Sequence, residues 1–185
     1  MFHDARFGNL FEPMTGRKWD RRAALAAILQ RVAFFQKVGM QPSDRVFLLY
    51  GNQLEFFADV MAVWMLGGCV IPVDARLTPF EIETLARAAG PRFAIGCDSL
   101  DAALASALTG LKVAVLNTMD AATHSTSAAQ IPPAGALSLD QDALVLFTSG
   151  TTGQPKGVVH THRTLRARWM GLRANLDLKE FRRTL

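Results

Sequence analysis

Arg45–Asp74 reads RVFLLYGNQLEFFADVMAVWMLGGCVIPVD. It begins and ends in short runs that are apolar on both faces, RVFLLY and CVIPVD, and Gln53–Leu66 between them carries apolar residues at helical spacing up to the pair Gly67-Gly68. Strand, helix, strand at this length predicts a βαβ unit with its two strands parallel in one sheet. Runs without alternation further predict that both faces of that sheet are covered.

The same rhythm extends outward from this unit. Pro79–Ala89 reads as a helix capped by Thr78 with proline at its first position. Arg92–Cys97 (RFAIGC) and Leu111–Leu116 (LKVAVL) read as further strands, so that strand starts recur at about 20 to 24 residues. Upstream, Asp20 can cap a helix whose stripe is Leu25, Ile28, Leu29, Val32 and Phe35, with Gly39 as its stop. The expected fold class is α/β, a mostly parallel sheet flanked by helices on both faces. Residues 20–120 form this βα-repeat region. Ala121–Gly135 (AATHSTSAAQIPPAG) shows no apolar period, so 121–141 is expected to be a linker loop. Residues 142–185 then read as strand Ala143–Thr148, a polar loop, strand Lys156–Thr161 and a helix with the stripe Leu165, Trp169, Leu172 and Leu176.

The whole is 185 residues, half of them apolar and 19% charged, with 14 Gly, 8 Pro and 2 Cys, which describes one globular domain and excludes a disordered chain or a disulfide scaffold. The longest apolar run, Val60–Pro72, is shorter than the roughly 18 residues of a membrane span. With no secretory pattern in the first twenty residues, a cytoplasmic protein is expected, and Cys69 and Cys97 are expected to be buried and reduced.

The net charge of +4 is unevenly spread: residues 1–141 hold 12 Lys and Arg against 13 Asp and Glu, and residues 142–185 hold 8 against 3. A basic end attracts anions such as nucleotide, phosphate or nucleic acid; equally, its arginines can form the wet face of a helix. Ser149-Gly150-Thr151-Thr152-Gly153-Gln154-Pro155-Lys156-Gly157 favours phosphate, because three hydroxyls, three glycines and a lysine follow directly on an apolar strand. Glycines let backbone N–H groups turn inward as a nest, hydroxyls add rotatable donors, and lysine adds a compact charge. The competing reading is a glycine-rich hairpin turn that satisfies only its own backbone. The Gly-x4-Gly-Lys-Ser/Thr loop is excluded, since Pro155 precedes the lysine, Gly157 follows it, and VVHTH continues as a strand. The dinucleotide fingerprint Gly-x-Gly-x-x-Gly is absent, which removes a nicotinamide dehydrogenase.

Thr148–Gly157, TSGTTGQPKG followed by VVHTH, resembles the phosphate-binding signature of the adenylate-forming superfamily: acyl- and aryl-CoA synthetases, adenylation domains of nonribosomal peptide synthetases, and luciferase-like enzymes. Ser43–Ile95 resembles the first βα units of that family's large N-terminal domain, and the likeness spans about residues 20–178. The resemblance implies an AMP-forming acid–thiol ligase. A carboxylic acid attacks the α-phosphate of ATP, pyrophosphate leaves, and CoA or a carrier pantetheine takes the acyl group, with Mg2+ accompanying ATP. It places Thr148, Ser149, Thr151, Thr152 and Lys156 on the β- and γ-phosphates, with Gly150, Gly153 and Gly157 letting the loop close.

The chain departs from the family in length. It carries no Tyr-Gly-x-Thr-Glu segment, no Thr-Gly-Asp segment and no C-terminal lid with a lysine, so no catalytic residue is identifiable and the chain looks like the first part of a larger enzyme, inactive alone. The expected partners are the acid and the remaining portion of the enzyme, with self-association of an exposed sheet edge; neither nucleic acid nor a membrane span is expected. The alternative function is a non-catalytic nucleotide-binding or subunit-interaction module. His160 and His162 alternate as metal ligands on a strand do, but no third ligand has supporting spacing and no metal site is expected. Met61, Trp64 and Met65 read as core, and Asp74 as a cap or as a partner of Arg76.

Overall fold

The computed structural model describes residues 8–74, 76–97, 100–133, 137–148 and 155–175. A small antiparallel hairpin, β1 (Leu10–Phe11) and β2 (Lys18–Trp19), leads into α1 (Arg21–Lys37). Then follow β3 (Arg45–Leu48), α2 (Leu54–Met65), β4 (Cys69–Pro72), α3 (Pro79–Ala89), β5 (Phe93–Gly96), α4 (Ala102–Gly110) and β6 (Ala114–Asn117). The chain continues through β7 (Asp142–Thr148) and β8 (Lys156–Thr161) into α5 (His162–Asn175).

Six strands form one sheet in the order β6-β5-β3-β4-β7-β8, parallel throughout except for β8, which runs antiparallel at the edge. This is the mostly parallel, doubly covered sheet that the apolar runs predict. Alternate residues of each strand enter two cores. Val46, Leu48, Val70 and Ile95 join Ile28, Val32, Phe35, Ala58, Ala62 and Val63 from α1 and α2. Phe47, Cys69, Ile71, Ala94 and Val145 join Ile82, Ala86, Leu104 and Leu108 from α3 and α4. The chain moves one way from β3 to β4 and the other way from β4 to β5, and right-handed crossovers made in opposite directions put α2 and α3 on opposite faces.

The helix ends follow local rules. Asp20 accepts from Ala23 N at 2.7 Å, and Thr78 and Glu81 form a reciprocal capping box at the head of α3. Gly67 takes φ +77° to end α2, and Gly68 is held by close approach: a Cβ there would lie 2.8 Å from Val63 Cγ1 and 3.2 Å from the Asp44 carbonyl oxygen. That carbonyl already accepts from Cys69 N at 2.8 Å, so it cannot retreat. Gly68→Ala is therefore expected to cost about 1–3 kcal/mol through overpacking. Urea denaturation would show this as a lowered midpoint at unchanged slope, and an unchanged midpoint would contradict the clash.

Two expectations need correction. Leu25 is exposed and Leu29 only half-buried; the inward face of α1 is Ala24, Ala27, Ile28, Arg31, Val32 and Phe35. Small residues and one arginine hold the core positions because Arg31 meets Asp59 of α2 there. His162 is the first residue of α5 and not part of a strand, so it does not share a strand face with His160. In the stretch after β6, 3-10 turns at Thr118–Thr123 and Thr126–Ala128 pack on α1, with Ala121 fully buried and Gln36 and Gln130 exchanging hydrogen bonds. Sequence reasoning missed two elements, the β1–β2 hairpin and α4; α4 carries a signal, since Leu104 and Leu108 stand four residues apart behind the Asp101 cap and both are buried.

Candidate functional site

Parallel β4 and β7 end on the same edge of the sheet, the edge outside which ligands bind in open α/β folds. Thr148 closes β7 there and Lys156 opens β8, directly opposite each other in the antiparallel ladder. Thr148 Oγ1 donates to the Lys156 carbonyl oxygen at 3.4 Å, and both residues are exposed. Two donor-bearing residues are thus brought together at the mouth of the loop. Ser149, Gly150, Thr151, Thr152 and Gly153 lie outside the described residues.

Gly157 has a packing reason of its own. A Cβ there would stand 3.0 Å from Val145 Cγ1 and 3.4 Å from the Phe147 ring, so glycine lets β8 lie flat over those side chains. At the carboxyl end of β4, Asp74 accepts from Arg76 N at 2.9 Å and pairs with its guanidinium at 2.6 Å, as the sequence suggests. Those bonds hold the Asp74 carboxyl down at about 2. Cys69 is buried and Cys97 half-buried, and neither is in a disulfide. Burial first, and the nearby Asp142 carboxylate second, push the Cys69 thiol up to about 12, which leaves it unreactive. Among the described residues, no group of three or more His, Cys, Asp or Glu could hold a metal ion. No helix among them is long and apolar enough to cross a membrane.

The base of the β7–β8 hairpin is anchored on α2. Trp64 Nε1 donates to the Ala143 carbonyl oxygen at 2.7 Å, and the Trp64 ring meets the His162 imidazole edge-on at 6.1 Å. Met61 is buried beside it, and Trp64 and Met65 are half-buried against the same core. Burial lowers the His162 pKa and favours its neutral form. α5 turns part of its apolar stripe outward: Leu165 is half-buried, Trp169 and Leu172 are exposed, and Leu176 is outside the described residues. Leu146, Val158 and Val159 are also each close to half exposed on the sheet edge.

A profile described as AMP-binding enzyme matches residues 11–183 of the chain. The chain belongs to the AMP-binding enzyme family. Within that family it is 31% identical over 163 residues to the long-chain-fatty-acid–CoA ligase FadD13 of Mycobacterium tuberculosis, covering 85% of this chain and 32% of that protein. It is 30% identical over 177 residues to the 2-succinylbenzoate–CoA ligase of Geobacillus kaustophilus, covering 94% of this chain and 31% of that protein. The chain thus spans about a third of the length of these curated relatives. Its fold is similar to that of ATP-bound MatB from Rhodopseudomonas palustris, with a TM-score of 0.78 at 24% identity over 91% of this chain and 35% of that one.

Sequence reasoning missed the buried ionic cluster beneath α1. Arg31 Nε lies 2.7 Å from Asp59 Oδ1, the Tyr50 hydroxyl donates to Asp59, and Arg17 bridges Glu12 and Glu55. The signal was present as one arginine inside the apolar face of α1 and one aspartate inside FFADVMAV. Charges in apolar runs usually have each other as partners.

Proposed function

We propose that the chain forms the N-terminal part of an ATP-dependent enzyme that activates a carboxylic acid as its acyl-adenylate and then forms a thioester. The observation that carries this reading is TSGTTGQPKG, set between β7 and the antiparallel β8 at the carboxyl edge of a parallel sheet. Two relatives named as CoA ligases and the fold shared with an ATP-bound protein support it. The acid carboxylate attacks the α-phosphorus, the bond from that phosphorus to the α,β-bridging oxygen breaks, and pyrophosphate leaves with that oxygen. A thiolate of CoA or pantetheine then attacks the acyl carbonyl and AMP leaves.

In this proposal Thr148, Ser149, Thr151, Thr152 and Lys156 donate to the β- and γ-phosphates, and Gly150, Gly153 and Gly157 keep the loop free of side chains. Donors on the departing group stabilise charge that grows in the transition state. Mg2+ is proposed to enter with ATP, on the oxygens of its phosphates. The division at residues 121–141, a cytoplasmic location and the covering of Leu146, Val158 and Val159 by further protein, or by self-association, belong to the same proposal.

The sequence holds neither a Tyr-Gly-x-Thr-Glu nor a Thr-Gly-Asp segment, and no residue here is assigned to adenine, ribose or the α-phosphate. Alignment of reactants accounts for about 7–11 kcal/mol of barrier lowering, so the 185 residues alone are expected to show no turnover. The test is acid-dependent pyrophosphate release by the purified chain with magnesium-ATP over a broad panel of carboxylic acids. Turnover near that of ordinary synthetases would show that the activity fits within these residues. Absence of the missing motifs from the remainder of the reading frame would favour a non-catalytic nucleotide-binding or subunit-interaction module.

A further inference from the structure

The register that brings Lys156 opposite Thr148 is decided at the other end of the hairpin. Asp142 pairs with Thr161, but the next pair is Leu144 with His160, followed by Val145–Val159, Leu146–Val158, Phe147–Gly157 and Thr148–Lys156. Ala143 is therefore an extra residue, and every pair nearer the loop is displaced by one position. Were Ala143 drawn into the ladder with Asp142 and Thr161 still paired, Thr148 would face Pro155 and Lys156 would face Phe147. Side chains alternate, so the lysine would leave the face it shares with Thr148.

Few other contacts in the sheet resist that slip. β7 is tied to β4 through one pair, Val70 with Leu144. The exposed valines of β8 do not choose, since Val158 and Val159 are 47% and 48% exposed and a slip exchanges one for the other; Gly157, which fits closely over Val145 and Phe147, favours the observed register from the loop end of the hairpin. At the extra residue itself the restraint is Trp64. Ala143 is fully buried, its carbonyl oxygen accepts the indole N–H at 2.7 Å, and the same ring packs on His162 where β8 ends.

We infer that Trp64 is a positioning residue: by holding the Ala143 carbonyl out of the ladder, its N–H sets the β7–β8 register that places Lys156 opposite Thr148. The register itself stands on the hairpin geometry; its consequence for phosphate rests on the function proposed above.

The test uses Trp64→Phe in the full chain, which keeps an aromatic ring and removes the donor, with two cysteine reporter pairs. Leu146→Cys with Val158→Cys face each other in the observed register, and Leu144→Cys with Val159→Cys only in the slipped one. Disulfides formed under mild oxidation are mapped by mass spectrometry. With Trp64 present, only the 146–158 bridge is expected. In Trp64→Phe its yield relative to the 144–159 bridge should fall about two- to tenfold, the population change that one lost hydrogen bond commands. An unchanged ratio overturns the inference.

Deleting Ala143 in the Trp64→Phe background leaves no extra residue, so the 146–158 bridge should return, even if Trp64→Phe alone fails to fold. Failure of that rescue also overturns the inference. In the protein without the reporter cysteines, inorganic triphosphate is expected to protect Lys156 from an amine-reactive reagent, and protection should be lost in Trp64→Phe. No protection with Trp64 present, alongside the expected bridges, overturns the phosphate reading and leaves the register assignment standing; protection kept in Trp64→Phe overturns the positioning role.

Discussion

Arg31→Met is expected to destabilise the protein by about 3–5 kcal/mol, because it leaves Asp59 as a buried charge without its cation. Asp59 is fully buried, and besides Arg31 it accepts from the Tyr50 hydroxyl. Combining Arg31→Met with Asp59→Leu and Tyr50→Phe should recover most of that loss, since the cost lies in breaking the cluster and not in lacking it. Urea midpoints of the single and triple variants decide between these outcomes, and equal losses in both would show that packing dominates.

The same variant has a pH signature. Burial raises the Asp59 pKa, and the Arg31 guanidinium is among the groups that pull it back down. Without Arg31 the folded-state value moves further above the unfolded carboxyl value of about 4. The folded protein then holds a proton that the unfolded chain has lost, so stability is greatest below that unfolded value and falls as pH rises through the folded one. Arg31→Met should therefore lose stability more steeply than the parent between about pH 4 and the raised value. A parallel pH profile for the two proteins would contradict the pairing.

Lys156→Ala is expected to reduce ATP–pyrophosphate exchange by about 10²- to 10³-fold in the complete enzyme, the usual cost of removing one preorganised donor from developing charge. AMP carries neither of the phosphates assigned to Lys156, so its affinity should change far less. Exposure of the lysine at the start of β8 and its place opposite Thr148 are consistent with a side chain that meets its partner only when nucleotide arrives. Exchange and AMP affinity measured on the same preparation separate the roles. Equal losses would contradict assignment to the departing phosphates, and no loss in either would return the loop to the status of a turn.

The sequence alone determined the layered architecture and where the candidate loop begins and ends. Both are legible because they are local: apolar runs without alternation demand cover on two faces, Thr78, Pro79 and Glu81 cap a helix within one turn, and glycine, hydroxyl and lysine converge within nine residues. The inward face of α1 was misread because alanines and an arginine stand where larger apolar side chains would be expected, and only contact with Asp59 explains that arginine. Strand order was decided by tertiary structure, since the return from β6 across the sheet to β7 depends on which edges are free once β3, β4 and β5 have paired. The hairpin register was decided the same way. Two adjacent valines are indifferent to a one-residue slip; the contacts that choose are the fit of Gly157 over Val145 and Phe147 and an indole N–H that reaches Ala143 from a helix 79 residues earlier in the chain.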